Sequence, residues 1–171
     1  LAIGADDAVR INALARDSYF VSAQIAHYAK DKGFDIILTG RESIDYNGSQ
    51  IAAMLGEFLD IPSISIIKKL ELEADQANIV REIEGGKEHL KVSFPFVASC
   101  AEGVAEPKIP NMRGIMSART KPLEVVEATE VGQLITFKSY SVPAPRGSVT
   151  ILSQDETEKL VGLLHTEAKV I

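Results

Sequence analysis

Apolar positions follow two alternating rhythms through the first part of the chain. Ala8-Val9-Arg10-Ile11, entered through a turn at Gly4-Ala5-Asp6-Asp7, predicts a short strand. Between Ser18 and Lys32 the apolar residues Phe20, Val21, Ile25, Ala26 and Ala29 fall at helical spacing, and Gly33 is expected to stop that helix. Asp35-Ile36-Ile37-Leu38-Thr39-Gly40 is almost continuously apolar, the pattern of a strand buried on both faces of a parallel sheet. A turn-rich stretch, Arg41 to Ser49, leads into a second helix over Gln50 to Leu59, which Asp60-Ile61-Pro62 ends. Ser63-Ile64-Ser65-Ile66-Ile67 predicts the next strand. Strand and helix thus alternate as in βαβ units, whose crossovers are right-handed.

After Lys68 the period shortens to two. Leu70 to Glu73, Asn78 to Ile83 and His89 to Val92 alternate apolar and polar residues, with breaks at Ala74-Asp75-Gln76 and Gly85-Gly86. This predicts an antiparallel meander with one wet face beside the parallel sheet. Phe94-Pro95-Phe96-Val97-Ala98-Ser99-Cys100 predicts a final buried strand, with Pro95 at its entrance, where a missing N–H costs least. A proline-punctuated loop, Glu106 to Gly114, precedes a short helix near Ile115 to Arg119. From Pro122 an extended tail begins, broken at Pro143-Ala144-Pro145-Arg146-Gly147 and closed by an amphipathic helix over Asp155 to Glu167. Residues 121–154 carry few periodic apolar positions, which fits a segment that wraps a partner or stays disordered.

Composition narrows the function. With 171 residues, 46% of them hydrophobic, the chain can bury one domain core. A net charge of −6 and a pI near 5.1 exclude a nucleic-acid backbone as the main partner, since that needs a basic surface. The single cysteine, Cys100, has no internal disulfide partner and reads as a packed thiol in a reducing compartment. His27, His89 and His165 lack ligand spacing, so no metal site is expected. No nucleophile stands with a base, and no catalytic residue is assigned. No apolar run reaches membrane-helix length, and no signal sequence opens the chain. Leu1 to Asp7 lacks an initiator Met and reads like the end of a helix turning into a strand, so the chain is expected to begin inside a domain.

Two constellations carry chemistry. The first, Thr39-Gly40-Arg41-Glu42-Ser43-Ile44-Asp45-Tyr46-Asn47-Gly48-Ser49-Gln50, lies between a strand's carboxyl end and a helix N-terminus. Open α/β sheets bind ligands at that place, because the strand ends leave a crevice and the helix offers unpaired N–H groups. Gly48 is expected to allow a close approach to phosphate or a positive φ, while Ser49 and Gln50 add donors. A simple helix cap by Asn47 or Ser49 is the other reading. The Gly-Lys-Ser/Thr ending of a Walker loop is absent.

This stretch resembles the signature of electron transfer flavoprotein β-subunits, in which Gly-Arg/Lys-x-(Ala/Ser)-Ile-Asp runs through Asn/Gly to Gln. The matching residues are Gly40, Arg41, Ser43, Ile44, Asp45, Asn47, Gly48 and Gln50; Ile51 replaces the usual Thr or Val and would contribute only its backbone N–H. In that family the loop binds AMP, with the phosphate on the helix N-terminus, so the resemblance implies a nucleotide site at Gly40, Arg41, Ser43, Asp45, Asn47, Gly48, Ser49, Gln50 and Ile51. The second constellation extends the likeness. Arg81-Glu82-Ile83-Glu84-Gly85-Gly86 matches the family's Arg-Glu-Ile-Glu/Asp-Gly-Gly hairpin, and Phe94-Pro95-Phe96-Val97 its Leu-Pro-Ala-Val strand. Ala105 to Pro110 and Gly114-Ile115-Met116 resemble its Asn-Glu-Pro-Arg-Tyr and Asn-Ile-Met stretches.

The resemblance covers the whole chain and implies the rest. The fold expected is a three-layer α/β nucleotide-binding domain, Rossmann-like, mostly parallel with an antiparallel extension, over residues 1–122. An extended arm and helix follow over 123–171, and the family's leading strands are missing. The protein would be the β-subunit of a heterodimeric electron carrier, not an independent catalyst. It would pair with an α-subunit that holds most of the FAD and accept electrons from acyl-CoA or other dehydrogenases. Lys108, Ile109, Pro110, Asn111, Met112, Arg113, Gly114, Ile115 and Met116 would form the recognition loop, with Met112 its exposed anchor; ordinary packing under the short helix is the other reading of Met112. The stretch after it, Ser117-Ala118-Arg119-Thr120-Lys121, is poorer in lysine than the family's, which weakens steering toward an acidic partner. Cytoplasm in a bacterium, or the mitochondrial matrix in a eukaryote, is the implied location. A flavin-bifurcating relative with a second FAD in the AMP crevice is the alternative, although Ile51-Ala52-Ala53 lacks the Gly-Pro ending of such relatives. An ATP-hydrolysing or adenylating enzyme of the same class would need a phosphate loop that is not present.

Overall fold

The computed structural model describes residues 1–171, and two compact units divide them, 1–136 and 137–171. In the first unit the elements run β1 (Ala8–Asn12), α1 (Ser18–Ala29), β2 (Ile36–Gly40), α2 (Ile51–Leu59), β3 (Ser63–Leu72), β4 (Gln76–Ile83), β5 (Gly86–Ser93), β6 (Phe96–Cys100), α3 (Met112–Ala118) and β7 (Leu123–Glu127). The main sheet has the order β2-β6-β3-β4-β5, parallel across β2-β6-β3 and antiparallel across β3-β4-β5. The architecture is the α/β class that the sequence predicts, a parallel sheet with an antiparallel extension.

The last strand of the main sheet in chain order, β6, lies inside it, second from the β2 edge. It separates β2 from β3, and four of its five residues, Phe96 to Ser99, are buried. Alternation sorts its side chains between two cores. Phe96 and Ala98 join Ile64, Ile67, Ala77 and Ile79 on one face. Val97 points the other way, to Ala26, Ala52 and Leu55 under α1 and α2. Helix α2 offers the sheet a stripe of Ala52, Leu55 and Gly56, the i, i+3, i+4 spacing that places residues on one face.

Three expectations change. Strand β2 is not buried on both faces: it is an edge strand with β6 as its only neighbour, and Leu38 is 51% exposed. The strand expected at 63–67 and the first arm of the meander are one continuous strand, β3. Its register shifts between Ile64 and Ile67 and again between Ile67 and Lys69, with Ile66 at φ 57°. A β-branched residue in that region is strained, and the buried Ser99 hydroxyl holds the bulge by accepting the Ile66 N–H at 2.8 Å. Two apparent elements thus become one bent strand that serves both halves of the sheet. The short helix, expected near Ile115, begins three residues earlier because Asn111 caps it, its Oδ1 accepting the Gly114 N–H at 2.8 Å.

Strand β1 stays out of the main sheet and pairs in parallel with β7, Ala8 opposite Leu123 through Asn12 opposite Glu127. Helix α1 ties this pair down. Tyr28 donates its hydroxyl proton to Glu124 at 3.0 Å, and that hydrogen bond raises the Tyr28 pKa. The segment before β1 packs on α3, where the Ala2 carbonyl oxygen would lie only 2.3 Å from a Cβ at Gly114. The second unit, 137–171, carries one helix, α4 (Thr157–Thr166), and residues 128–156 have no regular secondary structure.

Candidate functional site

Gly40, Cys100 and Ile67 stand in one row across β2, β6 and β3, at the carboxyl ends of β2 and β6 and at the last residue of β3 that pairs with β6. The chain leaves that row at Gly40 and passes through residues 41–50 into α2. The sequence-predicted loop therefore occupies the crevice position of an open α/β sheet. All of its residues are exposed except Glu42, which is partly buried.

The loop turns tightly at Ser43. The Ser43 carbonyl accepts the N–H groups of Tyr46 and Asn47, at 3.3 and 2.7 Å, and its hydroxyl accepts the Asp45 N–H at 3.3 Å. Positive φ was expected at Gly48, but it falls on the flanking residues, Asn47 at 47° and Ser49 at 51°. Gly48 has neither a positive φ nor a tight contact, so the expected close approach is not seen within the chain. A Cβ there would lie 3.8 Å from the Ser18 hydroxyl at the first turn of α1. The start of α1 is thereby brought to the loop that opens α2, and the buried Ser22 hydroxyl, donating to the Ile51 carbonyl at 3.5 Å, links the same two helices.

The capping reading of Asn47 and Ser49 does not hold. The N-cap of α2 is Gln50, in helical φ and ψ, with no side-chain hydrogen bond to the first turn. Ser49 points elsewhere and donates its hydroxyl proton to Glu42 at 2.8 Å. At α1, by contrast, Asp17 accepts the Phe20 N–H at 2.7 Å, so that end is satisfied internally. The first turn of α2 keeps free N–H groups and the positive end of its dipole facing the loop, a combination that favours an anion by about 0.3–1 kcal/mol when exposed. Arg41 adds a guanidinium, 2.9 Å from Glu42.

The second candidate segment is separate from the crevice. Lys108, Ile109 and Pro110 run irregularly into the Asn111 cap, and Met112, Arg113, Gly114, Ile115 and Met116 form most of α3. No residue of α3 is buried; Ile109, Met112 and Met116 are 91, 73 and 56% exposed. Packing beneath the helix is therefore not what Met112 does.

Sequence reading passed over Glu42 and Ser18. Glu42 lies inside the 39–50 motif, and a carboxylate between an arginine and serines is a detectable signal. Ser18 carried none, because its proximity to Gly48 exists only in the folded chain. No group of three or more His, Cys, Asp or Glu side chains is placed to hold a metal ion. No helix is long and apolar enough to cross a membrane.

Comparison with known proteins adds a second kind of observation. The electron transfer flavoprotein domain profile matches residues 1–131. The chain is 36% identical to the electron transfer flavoprotein subunit beta of Bacillus subtilis (strain 168), over all of this chain and 72% of that protein. It is 30% identical to the subunit of the same name from Sus scrofa, over 99% of this chain and 69% of that one. The subunit of the same name from Syntrophomonas wolfei is 31% identical over 92% of this chain and 63% of its own length.

Proposed function

This chain belongs to the electron transfer flavoprotein family, as a sequence of the β-subunit kind, and on that premise we propose that it binds AMP in the 40–51 loop and works as half of an electron-carrying heterodimer. The observation that carries the nucleotide reading is the open first turn of α2. It lacks a side-chain cap and faces a loop with Arg41, at the carboxyl ends of β2 and β6. An adenine nucleotide's phosphate suits that end, since backbone N–H groups and a helix dipole both favour negative charge. Gly40, Arg41, Ser43, Asp45, Asn47, Gly48, Ser49, Gln50 and Ile51 are the residues in reach of this role.

The partner would be an α-subunit holding most of an FAD, which supplies the redox chemistry. This chain's part is to complete the flavin's surroundings, to carry the structural AMP and to present a docking surface. Residues 108–116 support the last role, because Met112 and Met116 on a short capped helix, and Ile109 in the loop before it, expose apolar surface. Acyl-CoA or other dehydrogenases are the proposed donors.

The test is the nucleotide content of the assembled complex. The full-length β-subunit is co-expressed with its α-subunit, the heterodimer is purified and denatured, and the released nucleotides are weighed by mass spectrometry. One FAD and one AMP per heterodimer is the expected result. Two FAD would place the protein with the bifurcating relatives. Absence of both a complex and a nucleotide would overturn the proposal.

A further inference from the structure

Among residues 41–50, Glu42 alone is not fully exposed, its side chain being 23% accessible. Both of its carboxylate oxygens are engaged by the loop. Oε1 pairs with the Arg41 guanidinium at 2.9 Å, and Oε2 accepts the Ser49 hydroxyl at 2.8 Å. Those are the loop's cation and the hydroxyl of Ser49, the residue just before the α2 N-cap Gln50. The chain's own carboxylate thus occupies the two side-chain groups that an entering phosphate would use. We propose that Glu42 is an internal competitor for the nucleotide phosphate: it occupies Arg41 and Ser49 in the free loop, is displaced when nucleotide binds, and so lowers the affinity for phosphate-bearing ligands.

This inference rests on the nucleotide reading of the loop and adds what regulates it. An arginine–glutamate pair this open to solvent is weak. A phosphate dianion, with more charge and more acceptor oxygens, takes Arg41 and Ser49 from it. Glu42 then remains beside the bound phosphate as a like charge, which opposes binding. The consequence is specific to the phosphate. Adenosine presents no such charge and should not register the carboxylate.

The experiment is a calorimetric titration of nucleotide-stripped heterodimer with AMP and with adenosine, for the natural protein, Glu42→Gln and Glu42→Ala. Both substitutions are expected to tighten AMP by about tenfold, the scale of one like charge removed from a partly exposed site, and to leave adenosine unchanged. Glu42→Ala gives the same reading if Glu42→Gln assembles poorly. Equal or weaker AMP affinity in the variants overturns the inference while leaving the AMP site standing. Parallel tightening of AMP and adenosine also overturns it, since that reports a loosened loop and no contest for phosphate. If the natural heterodimer and both variants all fail to bind AMP, the nucleotide reading itself is wrong and this inference falls with it.

Discussion

Gln24 and Thr129 exchange two hydrogen bonds of 2.8 Å, the Gln24 amide donating to the Thr129 carbonyl and accepting the Thr129 N–H. Gln24 is 5% exposed on α1, and Thr129 lies just after β7 in a stretch without regular structure. The side-chain amide does for one residue what a neighbouring strand does for a row of them. It satisfies backbone groups that no sheet pairs, and it fixes where the chain leaves β7.

Gln24→Ala removes both bonds and strips a partly buried backbone donor and acceptor, those of Thr129, of their partners. A loss of about 1–3 kcal/mol is expected from the unsatisfied groups. Chemical denaturation of the heterodimer measures the loss. Amide hydrogen exchange localises it, with the Thr129 N–H losing protection before the strands of the main sheet. Unchanged protection at Thr129 would show that something else anchors the segment.

Gly56 reads as a weak point in α2, since glycine inside a helix costs about 1 kcal/mol relative to alanine. The packing at this position nevertheless favours glycine. A Cβ at this position would lie 2.7 Å from the Ser63 Cβ and 3.0 Å from the Ile61 carbonyl oxygen, where the helix turns back into β3. Gly56→Ala therefore gains propensity but forces α2 away from the sheet, an overpacking cost of about 1–3 kcal/mol. A net drop in the denaturation midpoint is expected; a rise would mean that the helix has room to move.

Cys100, at the end of β6, is a packed thiol whose pKa burial raises above the ordinary thiol value. The folded state therefore keeps this proton to higher pH than the unfolded chain does. The associated stability is fully present below the ordinary thiol pKa and declines as pH rises through it toward the raised value. Alkylation by iodoacetamide should titrate at higher pH in the folded protein than in urea. Coincident profiles in the two conditions would remove the burial effect.

Met112→Ala tests the proposed docking surface apart from folding. It is 73% exposed, so Met112→Ala should move stability by no more than about 0.5 kcal/mol. An anchor at a protein interface costs more than about 1–2 kcal/mol when truncated. In the heterodimer, reduction by an acyl-CoA dehydrogenase should slow by about tenfold or more while nucleotide content stays constant. An unaltered rate would take Met112 out of the docking surface.

Much of the fold was legible because element type is written locally. The helical spacing of Phe20, Val21, Ile25, Ala26 and Ala29 marked α1, and the two-residue alternation from Asn78 to Ile83 marked β4. The motif from Gly40 to Gln50 and a turn between β4 and β5, expected at Gly85-Gly86 and found one residue earlier at Glu84-Gly85, were also visible, since both depend on short-range residue order. Caps were less so. Asp17 caps α1 and Asn111 caps α3, but Asn47 and Ser49, which suit the role equally by type, do not cap α2.

By itself, then, the sequence determined the alternation of strands and helices, the position of the loop between β2 and α2, and the family to which the chain belongs. Only the tertiary structure decided that β6 lies between β2 and β3, that β1 leaves the main sheet for β7, and that Ser99 holds the bend at Ile66. It also decided that Ser49 turns to Glu42, and that Gln24 holds Thr129. The physical reason is range. Periodicity records which face of an element is apolar, because that depends on backbone geometry over a few residues. Which distant segment satisfies that face, or a given N–H, depends on competition among all the segments of the folded chain, and no local pattern encodes its outcome.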